Sequence, residues 1–220
     1  NALSEWLEVT VFQDGKIYFI RFENGGKAVD RLKVIGECDP DRTGTTVTFK
    51  PDPTIFTETT SFDYDILKER VRELAFLNKG LRIILCDDRN EAEKKREEFV
   101  YEGGLSEYVK FLNKNKTPIH ESIIHIGGVE NDISIEAALQ YNTGYSASVY
   151  SFVNNIHTPE GGTHEDGVRM ALTRVLNNYA RKNNILKEKD DNLSSEDVKE
   201  GLTLIVSCKH PDPQFEGQTK

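Results

Sequence analysis

The stretch Phe62-Asp-Tyr-Asp-Ile-Leu-Lys-Glu-Arg-Val-Arg-Glu-Leu-Ala-Phe-Leu77 decides the fold class of this 220-residue chain. Leu67, Val71, Leu74 and Ala75 recur at i, i+4, i+7 and i+8, while Lys68, Glu69, Arg72 and Glu73 fall on the other face. That is the period of an amphipathic helix. The chain before it reads as strands. Trp6 to Phe12 is β-rich, Asp14-Gly15 is a hairpin signal, and Lys16 to Phe22 supplies the returning strand. Val29 to Ile35 and Thr45 to Phe49 read as further strands, the second following the turn residues Asp39, Pro40, Asp41 and Gly44. Lys79-Gly80 ends the helix, and Leu81 to Leu85 is a buried-type strand. Strands interrupted by an amphipathic helix in this way make an α+β protein.

Asp87 to Glu98 holds almost nothing but charge and reads as a solvated turn. After Gly103-Gly104 comes a short helix, Leu105 to Leu112, and then the loop Asn113-Lys-Asn-Lys-Thr-Pro118. A domain boundary is expected near residue 100. Beyond it, His120 to Ile126, Ile133 to Tyr141 and Ser148 to Val153 read as a three-stranded meander, with turns at Gly127-Gly128 and Asn142-Thr143-Gly144. A long helix follows from about His164 to Asn183, with Thr163 expected to cap it and Glu165 and Asp166 in its first turn. Val168, Ala171, Leu172, Val175, Leu176 and Tyr179 form its apolar stripe, and Arg174 and Arg181 share the opposite face. Ser194 caps a short helix closed by Gly201, and Leu202 to Cys208 is the last strand.

Composition excludes several classes of function. A formal net charge of −9 leaves no surface-wide electrostatic footprint for nucleic acid, so any DNA contact must be local. Cys38, Cys86 and Cys208 are odd in number, far apart and without metal-ligand spacing, which points to a reducing, cytoplasmic compartment. No apolar run approaches the length of a membrane span and no signal peptide opens the sequence. Asn1 leads straight into a strand-like run, so this N-terminus is expected to be a cut inside a domain.

Chemistry-bearing motifs are few. His120 and His125 have no Cys or Glu partner in a ligand pattern, so no metal site is expected. His164, beside Gly161-Gly162 at a helix start, reads either as an anion site or, preferably, as a capping and packing residue. The glycine pair matches neither a P-loop nor a Rossmann fingerprint. The chain ends in the loop His210-Pro-Asp-Pro-Gln-Phe-Glu-Gly-Gln-Thr-Lys220, whose terminal ammonium suits a phosphate, although a lone lysine reads first as a surface charge.

Several segments, in order along the whole chain, resemble the B subunits of bacterial DNA gyrase, which are type IIA topoisomerases. They include Asn-Ala-Leu-Ser-Glu-Trp-Leu-Glu-Val from residue 1, Arg72 to Asn78, Tyr101-Glu-Gly-Gly104, Leu112 to Pro118, Asn154-Asn155-Ile156, Gly161-Gly-Thr-His-Glu165 and the terminal Gln-Phe-Glu-Gly-Gln-Thr-Lys. The resemblance implies that residues 1–99 are the C-terminal portion of a GHKL ATPase α/β sandwich. Residues 100–220 would be a transducer domain of the ribosomal protein S5 domain 2-like fold, truncated at its C-terminal end. It implies an ATP-operated clamp that drives DNA strand passage and negative supercoiling, with ATP and Mg2+ as cofactors. The implied partners are DNA, a second copy of the gyrase B protein, and the gyrase A protein, with no membrane. By motif, Gln218 and Lys220 would hold the γ-phosphate, with Lys220 catalytic, and Thr45 would lie by the adenine. Arg174 and Arg181 would face DNA, against a plain reading as a solvated helix face. The family's catalytic glutamate, magnesium-binding asparagine, adenine-binding aspartate and glycine-rich lid belong to sequence before Asn1. This fragment is therefore expected to lack ATPase activity and to bind neither cofactor tightly. Glu188-Lys-Asp-Asp-Asn192 matches the Glu-x-x-x-Asn spacing by coincidence, and Phe19 stands where many gyrases have an arginine. The corresponding B protein of topoisomerase IV, a decatenating enzyme, and a stand-alone DNA-binding module are the alternatives.

Overall fold

A computed structural model of the chain describes residues 1–216. They form two compact units, Asn1–Asp63 and the chain from Tyr64 onward.

In the first unit, β1 (Ser4–Gln13) and β2 (Lys16–Glu23) make the expected hairpin, with Asp14 and Gly15 at φ 52° and 72°. Two left-handed residues are what a two-residue turn matched to strand twist needs. With β3 (Lys27–Ala28), β4 (Lys33–Glu37) and β5 (Gly44–Pro51) they build a five-stranded sheet. Its order is β3-β2-β1-β5, with β4 also on β2. The Val29 to Ile35 strand is shorter than expected. Asp30 accepts the Arg31 N–H at 2.8 Å and pairs with Lys33, bending the chain off the ladder until Lys33. Val34, Ile35, Val47 and Phe49 are exposed on this sheet.

The second unit opens with α1 (Tyr64–Leu77), the helix that the period predicts. Its Ala75, Phe76 and Leu77 are buried, and the Phe76 ring stacks on those of Tyr101 and Tyr108. Next come β6 (Ile83–Asp87) and β7 (Lys95–Phe99), an antiparallel pair. The expected solvated turn is thus only the tip of a hairpin. Lys-Arg-Glu-Glu can be a strand because its charges are partnered: Glu98 with Arg82 through two 2.6 Å contacts, and Glu97 with Lys68 and the Tyr64 hydroxyl.

After α2 (Gly104–Leu112), β8 (Ile124–Glu130), β9 (Ile133–Tyr141), β10 (Ser148–Val153), β11 (Ile156–His157) and β12 (Leu202–Lys209) form a sheet ordered β11-β10-β12-β9-β8. The expected meander is corrected here: β12 inserts between β9 and β10, parallel to β10. The connection from β10 to β12 carries α3 (Thr163–Lys182) and α4 (Ser195–Lys199). Gly127 and Gly128 are not a turn. They lie within β8 opposite Glu136 and Ile135, and the reversal is made by Asn131 and Asp132 at φ 50° and 64°.

Helices cover both faces of this sheet. Phe76 of α1 and Leu105, Tyr108 and Val109 of α2 pack with Phe152 and Ile205, while Leu204 and Val206 point the other way, toward Val168 and Leu172 of α3. Being buried on both faces, β12 reads as an unbroken run, Leu-Thr-Leu-Ile-Val-Ser-Cys. The α3 stripe is narrower than expected, since Val175 and Tyr179 are exposed. Asn177 is turned inward instead, where its amide donates to Leu193 O and accepts from Leu193 N–H. The N-cap of α3 is Gly162, without a side-chain cap, and Thr163 is already helical. Ser194 caps α4 as expected, in a reciprocal box with Asp197.

Candidate functional site

The terminal loop leaves the sheet at the end of β12, beside the end of β10. The last rung of this parallel pair joins Val153 to Cys208. There β10 turns through Asn154 and Asn155, both left-handed, at φ 50° and 65°. Asparagine tolerates that conformation better than other residues with a Cβ. The Asn154 backbone N–H donates to Cys208 O at 2.8 Å. Its side chain then does what the departed strand cannot: Nδ2 donates to His210 O and Oδ1 accepts from His210 N–H, both at 2.9 Å. Asp212 N–H in turn donates to His210 Nδ1 at 3.0 Å. The other side of the turn is held by α1 and the residue just past it. Arg70 donates to Asn155 O at 2.7 Å, and Asn155 Nδ2 donates to Asn78 Oδ1 at 3.2 Å.

Facing this exit is the start of α3, across a cavity of about 450 Å3 lined by Thr158, Gly162, His164, Cys208, His210 and Phe215, among others. A polar chain ties the cavity wall to the sheet. Thr158 O–H donates to Ser151 O at 2.9 Å, so its oxygen is left to accept from His164 Nε2–H at 3.0 Å. Ser151 O–H reaches Glu165 Oε2 at 2.8 Å. His164 is thereby held against Thr158 as a packing residue, and burial lowers its pKa despite Glu165 and Asp166 nearby. His157 is also lowered, first by burial and then by Arg70.

A histidine whose folded pKa is depressed stabilises the fold above its unfolded pKa, and that stability is lost as pH falls through the unfolded value toward the folded one. We therefore expect the thermal midpoint of the chain to drop between about pH 7.5 and 5.5, with a His157→Gln/His164→Gln variant showing a flatter profile. Asp87, held down at about 2 by Arg89, titrates far below this window. An unchanged slope in the double variant would exclude the two histidines as its source.

The sequence-predicted site residues are scattered. Thr45 lies exposed on β5, opposite Val11. Arg174 lines a shallow depression with Met170, Asn177 and Asn192. Arg181 spends its guanidinium on Lys187 O, Asp190 O and Asn192 Oδ1, so it gathers the loop before α4. Gln218 and Lys220 lie outside the described residues. His120 and His125 are apart in role: His120 accepts the Tyr141 N–H, and His125 faces Glu136. Among the described residues no group of three or more His, Cys, Asp or Glu side chains is placed to hold a metal ion. Nor is any helix among them long and apolar enough to cross a membrane. Sequence reasoning missed the roles of Asn154 and Asn155. The available signal was an Asn-Asn pair directly after a strand, which marks two left-handed positions.

A family model described as DNA gyrase B matches residues 104–220, more than half the chain. The whole chain is 58% identical to the DNA gyrase B protein of Bacillus mycoides, of which it spans 53%, about half the length. Among solved structures it is similar to the 43K ATPase domain of Thermus thermophilus gyrase B in complex with an aminocoumarin, with a TM-score of 0.82 and 38% identity over 98% of this chain and 58% of that one. It is also similar to the topoisomerase IV ATP-binding domain of Francisella tularensis in complex with a small-molecule inhibitor, with a TM-score of 0.79 and 29% identity over 100% of this chain and 58% of that one. The identities to the Bacillus mycoides and Thermus thermophilus gyrase proteins, 58% and 38%, exceed the 29% to the topoisomerase IV domain. With a mixed α/β fold common to all of these and a family match running from the start of α2 to its last residue, the chain belongs to the DNA gyrase B family.

Proposed function

We propose that this chain is part of the ATP-operated clamp of a gyrase B protein, whose parent enzyme couples ATP binding and hydrolysis to DNA strand passage and negative supercoiling. The observation that carries this reading is the family match over residues 104–220 combined with whole-chain similarity to a gyrase B ATPase domain. Residues 1–99 are then the later portion of the GHKL ATPase domain, and residues 100–220 the transducer, of the ribosomal protein S5 domain 2-like kind. The start of the family match at residue 104, where α2 begins, supports a division near residue 100. The partners in this reading are DNA, a second gyrase B protein and the gyrase A protein, in the cytoplasm. The three free thiols accord with a reducing compartment.

Gln218 and Lys220 would bind the γ-phosphate of ATP, and Thr45 would lie by the adenine. A lysine aimed at charge that develops in phosphoryl transfer stabilises the transition state, and its contact is lost when the phosphate departs. The same residue is then catalyst and latch. The described residues offer no cluster to hold magnesium, so no step is assigned to the ion in this chain. Arg174 stays the better candidate for a DNA-facing cation, because the Arg181 guanidinium is taken up by the loop it holds. That occupancy also weakens the alternative of a stand-alone DNA-binding module built on both arginines.

In a gyrase B protein containing this sequence, Lys220→Ala is expected to lower ATP turnover by on the order of a hundredfold, the scale set by removing one preorganised donor. The 220-residue chain alone is expected to show no turnover above its own Lys220→Ala control. Wild-type turnover in the Lys220→Ala protein would overturn the assignment.

A further inference from the structure

A second cavity, of about 460 Å3, lies among α1, α2 and β10 and shares no lining residue with the one beside the terminal loop. Small-molecule sites span about 300–1,000 Å3. Four rings line it: Phe76 of α1, Tyr108 and Phe111 of α2, and Tyr150 of β10. Phe76 and Tyr108 stack at 4.6 Å, while Phe111 is tilted by 43° to Phe76 and Tyr150 by 37° to Tyr108. The wall therefore presents ring edges as well as faces, the two surfaces against which another ring packs best.

Tyr108 sets this cavity apart from a packing gap. It is 7% exposed, yet among the described residues its hydroxyl has no hydrogen-bond partner. A buried phenol ordinarily has one. Burial pushes the group up to about 12, so it stays an O–H donor, and the next influences on it are Tyr150 and Arg70, which line the same cavity. The Tyr150 hydroxyl is also without a hydrogen-bond partner among the described residues. An unpaired buried donor is a standing cost to the fold that a bound acceptor would cancel. The wall's charges, meanwhile, balance. Glu69, Arg70, Arg72 and Glu73 sum to zero in formal charge, and Arg70 is already committed to Glu73 and to Asn155 O. Arg72 lies over the rings of Phe99 and Phe111, at 5.6 and 5.1 Å. An ion entering here would give up its hydration without gaining a net counter-charge.

We propose that this cavity is a binding site for a neutral, planar aromatic molecule that carries a carbonyl oxygen. The ring packs among Phe76, Phe111 and Tyr150, and the carbonyl accepts from the Tyr108 and Tyr150 O–H groups through its two lone pairs. A molecule seated there touches α1, α2 and β10 at once and so holds both helices to the sheet. Ile66, 69% exposed, is part of the lining, which leaves the cavity open to solvent on the α1 side.

Benzamide tests the site, with the amide chemical shifts of this chain followed during titration. Saturable shifts centred on Tyr108, Phe111 and Tyr150 are expected, with a Kd of about 1 mM. Cyclohexanecarboxamide keeps the carbonyl without the aromatic ring, and benzoate keeps the ring but adds charge. Each is expected to bind about fivefold or more weakly than benzamide. Tyr108→Phe removes only the O–H, and it should weaken benzamide about fivefold, the equivalent of one hydrogen bond, without lowering the thermal midpoint of the free chain. Tyr150→Phe should cost a similar factor. Absence of saturable shifts, shifts centred elsewhere, or equal affinity for the three compounds overturns the proposal, and so does wild-type benzamide affinity in Tyr108→Phe. Should Tyr108→Phe lower the midpoint, Tyr150→Phe decides: a loss of about fivefold supports the site and unchanged affinity refutes it.

Discussion

Gly201→Ala is expected to destabilise the unit that begins at Tyr64 by about 4 kcal/mol, among the largest effects a single methyl group can have. Gly201 sits between α4 and β12 at φ 69°, a conformation that costs a residue with a Cβ about 1–2 kcal/mol. Space is the larger problem. A Cβ there would lie 2.3 Å from Asn142 O and 2.9 Å from Gly144 O. Neither oxygen can withdraw, because Asn142 is fastened to the same glycine: its backbone N–H and its Nδ2 both donate to Gly201 O, at 2.9 and 2.7 Å. Asn142 Oδ1 also accepts the Gly144 N–H at 2.9 Å, so the strand end after β9 and the entry to β12 form one knot. Relief would require moving backbone, for which overpacking costs about 1–3 kcal/mol more. Gly128→Ala in β8 is the control. A Cβ there meets nothing within 4 Å, and the change is expected to stay within about 0.5 kcal/mol. Urea unfolding of both variants checks the pair. A Gly201→Ala midpoint close to wild type would mean that this approach is looser than drawn.

Gly201 also shows what kind of information the sequence carries openly. It was legible as a helix stop, and α4 does end there, but the close approach of Asn142 from fifty-nine residues away was not. The same division runs through the fold. Local signals placed α1, the Asp14-Gly15 hairpin, β9, β10 and the Ser194 cap, because each depends on residues within a turn or two of one another. Long-range pairings were hidden. Nothing near Leu202 announces that β12 will separate β9 from β10, since a parallel pair across a helical crossover has no turn residues to mark it. β7 was hidden for a different reason: its charges look like solvated surface until Arg82 and Lys68 neutralise them from elsewhere. Gly127-Gly128 misled because glycine is punctuation only where the backbone needs it, and at β8 the edge strand merely tolerates it.

The site divides similarly. The terminal lysine drew notice by its chemistry and its place in a loop, and its partners by resemblance. Asn154 and Asn155, which hold the root of that loop, are neutral amides with no titration and no metal affinity, so a search for chemistry passes over them. Only the folded chain reveals that one amide spans a residue beyond the next strand and the other meets α1's flank. Arg181 is the converse case. Its charge made it a DNA candidate, whereas its geometry makes it the keystone of residues 187–192.

The Asn113-Lys-Asn-Lys-Thr-Pro118 loop, another segment of the resemblance, gives the second large effect. Thr203 is fully buried on β12, and its hydroxyl donates to Asn113 Oδ1 at 2.6 Å while accepting from Lys116 Nζ at 3.2 Å. Lys116 also donates to Ser148 Oγ at 2.8 Å, and Asn113 Nδ2 donates to Gln140 Oε1 at 3.0 Å. The loop after α2 is thus sewn to three strands of the sheet by neutral groups around one ammonium, whose pKa burial lowers. Thr203→Val changes almost no volume but leaves the buried Asn113 Oδ1 without its hydroxyl donor and takes one of two acceptors from the ammonium. An unpaired buried acceptor costs about 1–3 kcal/mol and a lost bond to a charged group a similar amount, so a total of about 3 kcal/mol is expected. Were the hydroxyl merely packed, the substitution would cost well under about 1 kcal/mol. Adding Lys116→Met to Thr203→Val should recover part of the loss, because the ammonium no longer needs what valine cannot give. Chemical denaturation of the two single variants and the double closes the cycle. Strict additivity would show that the lysine and the threonine do not share one network.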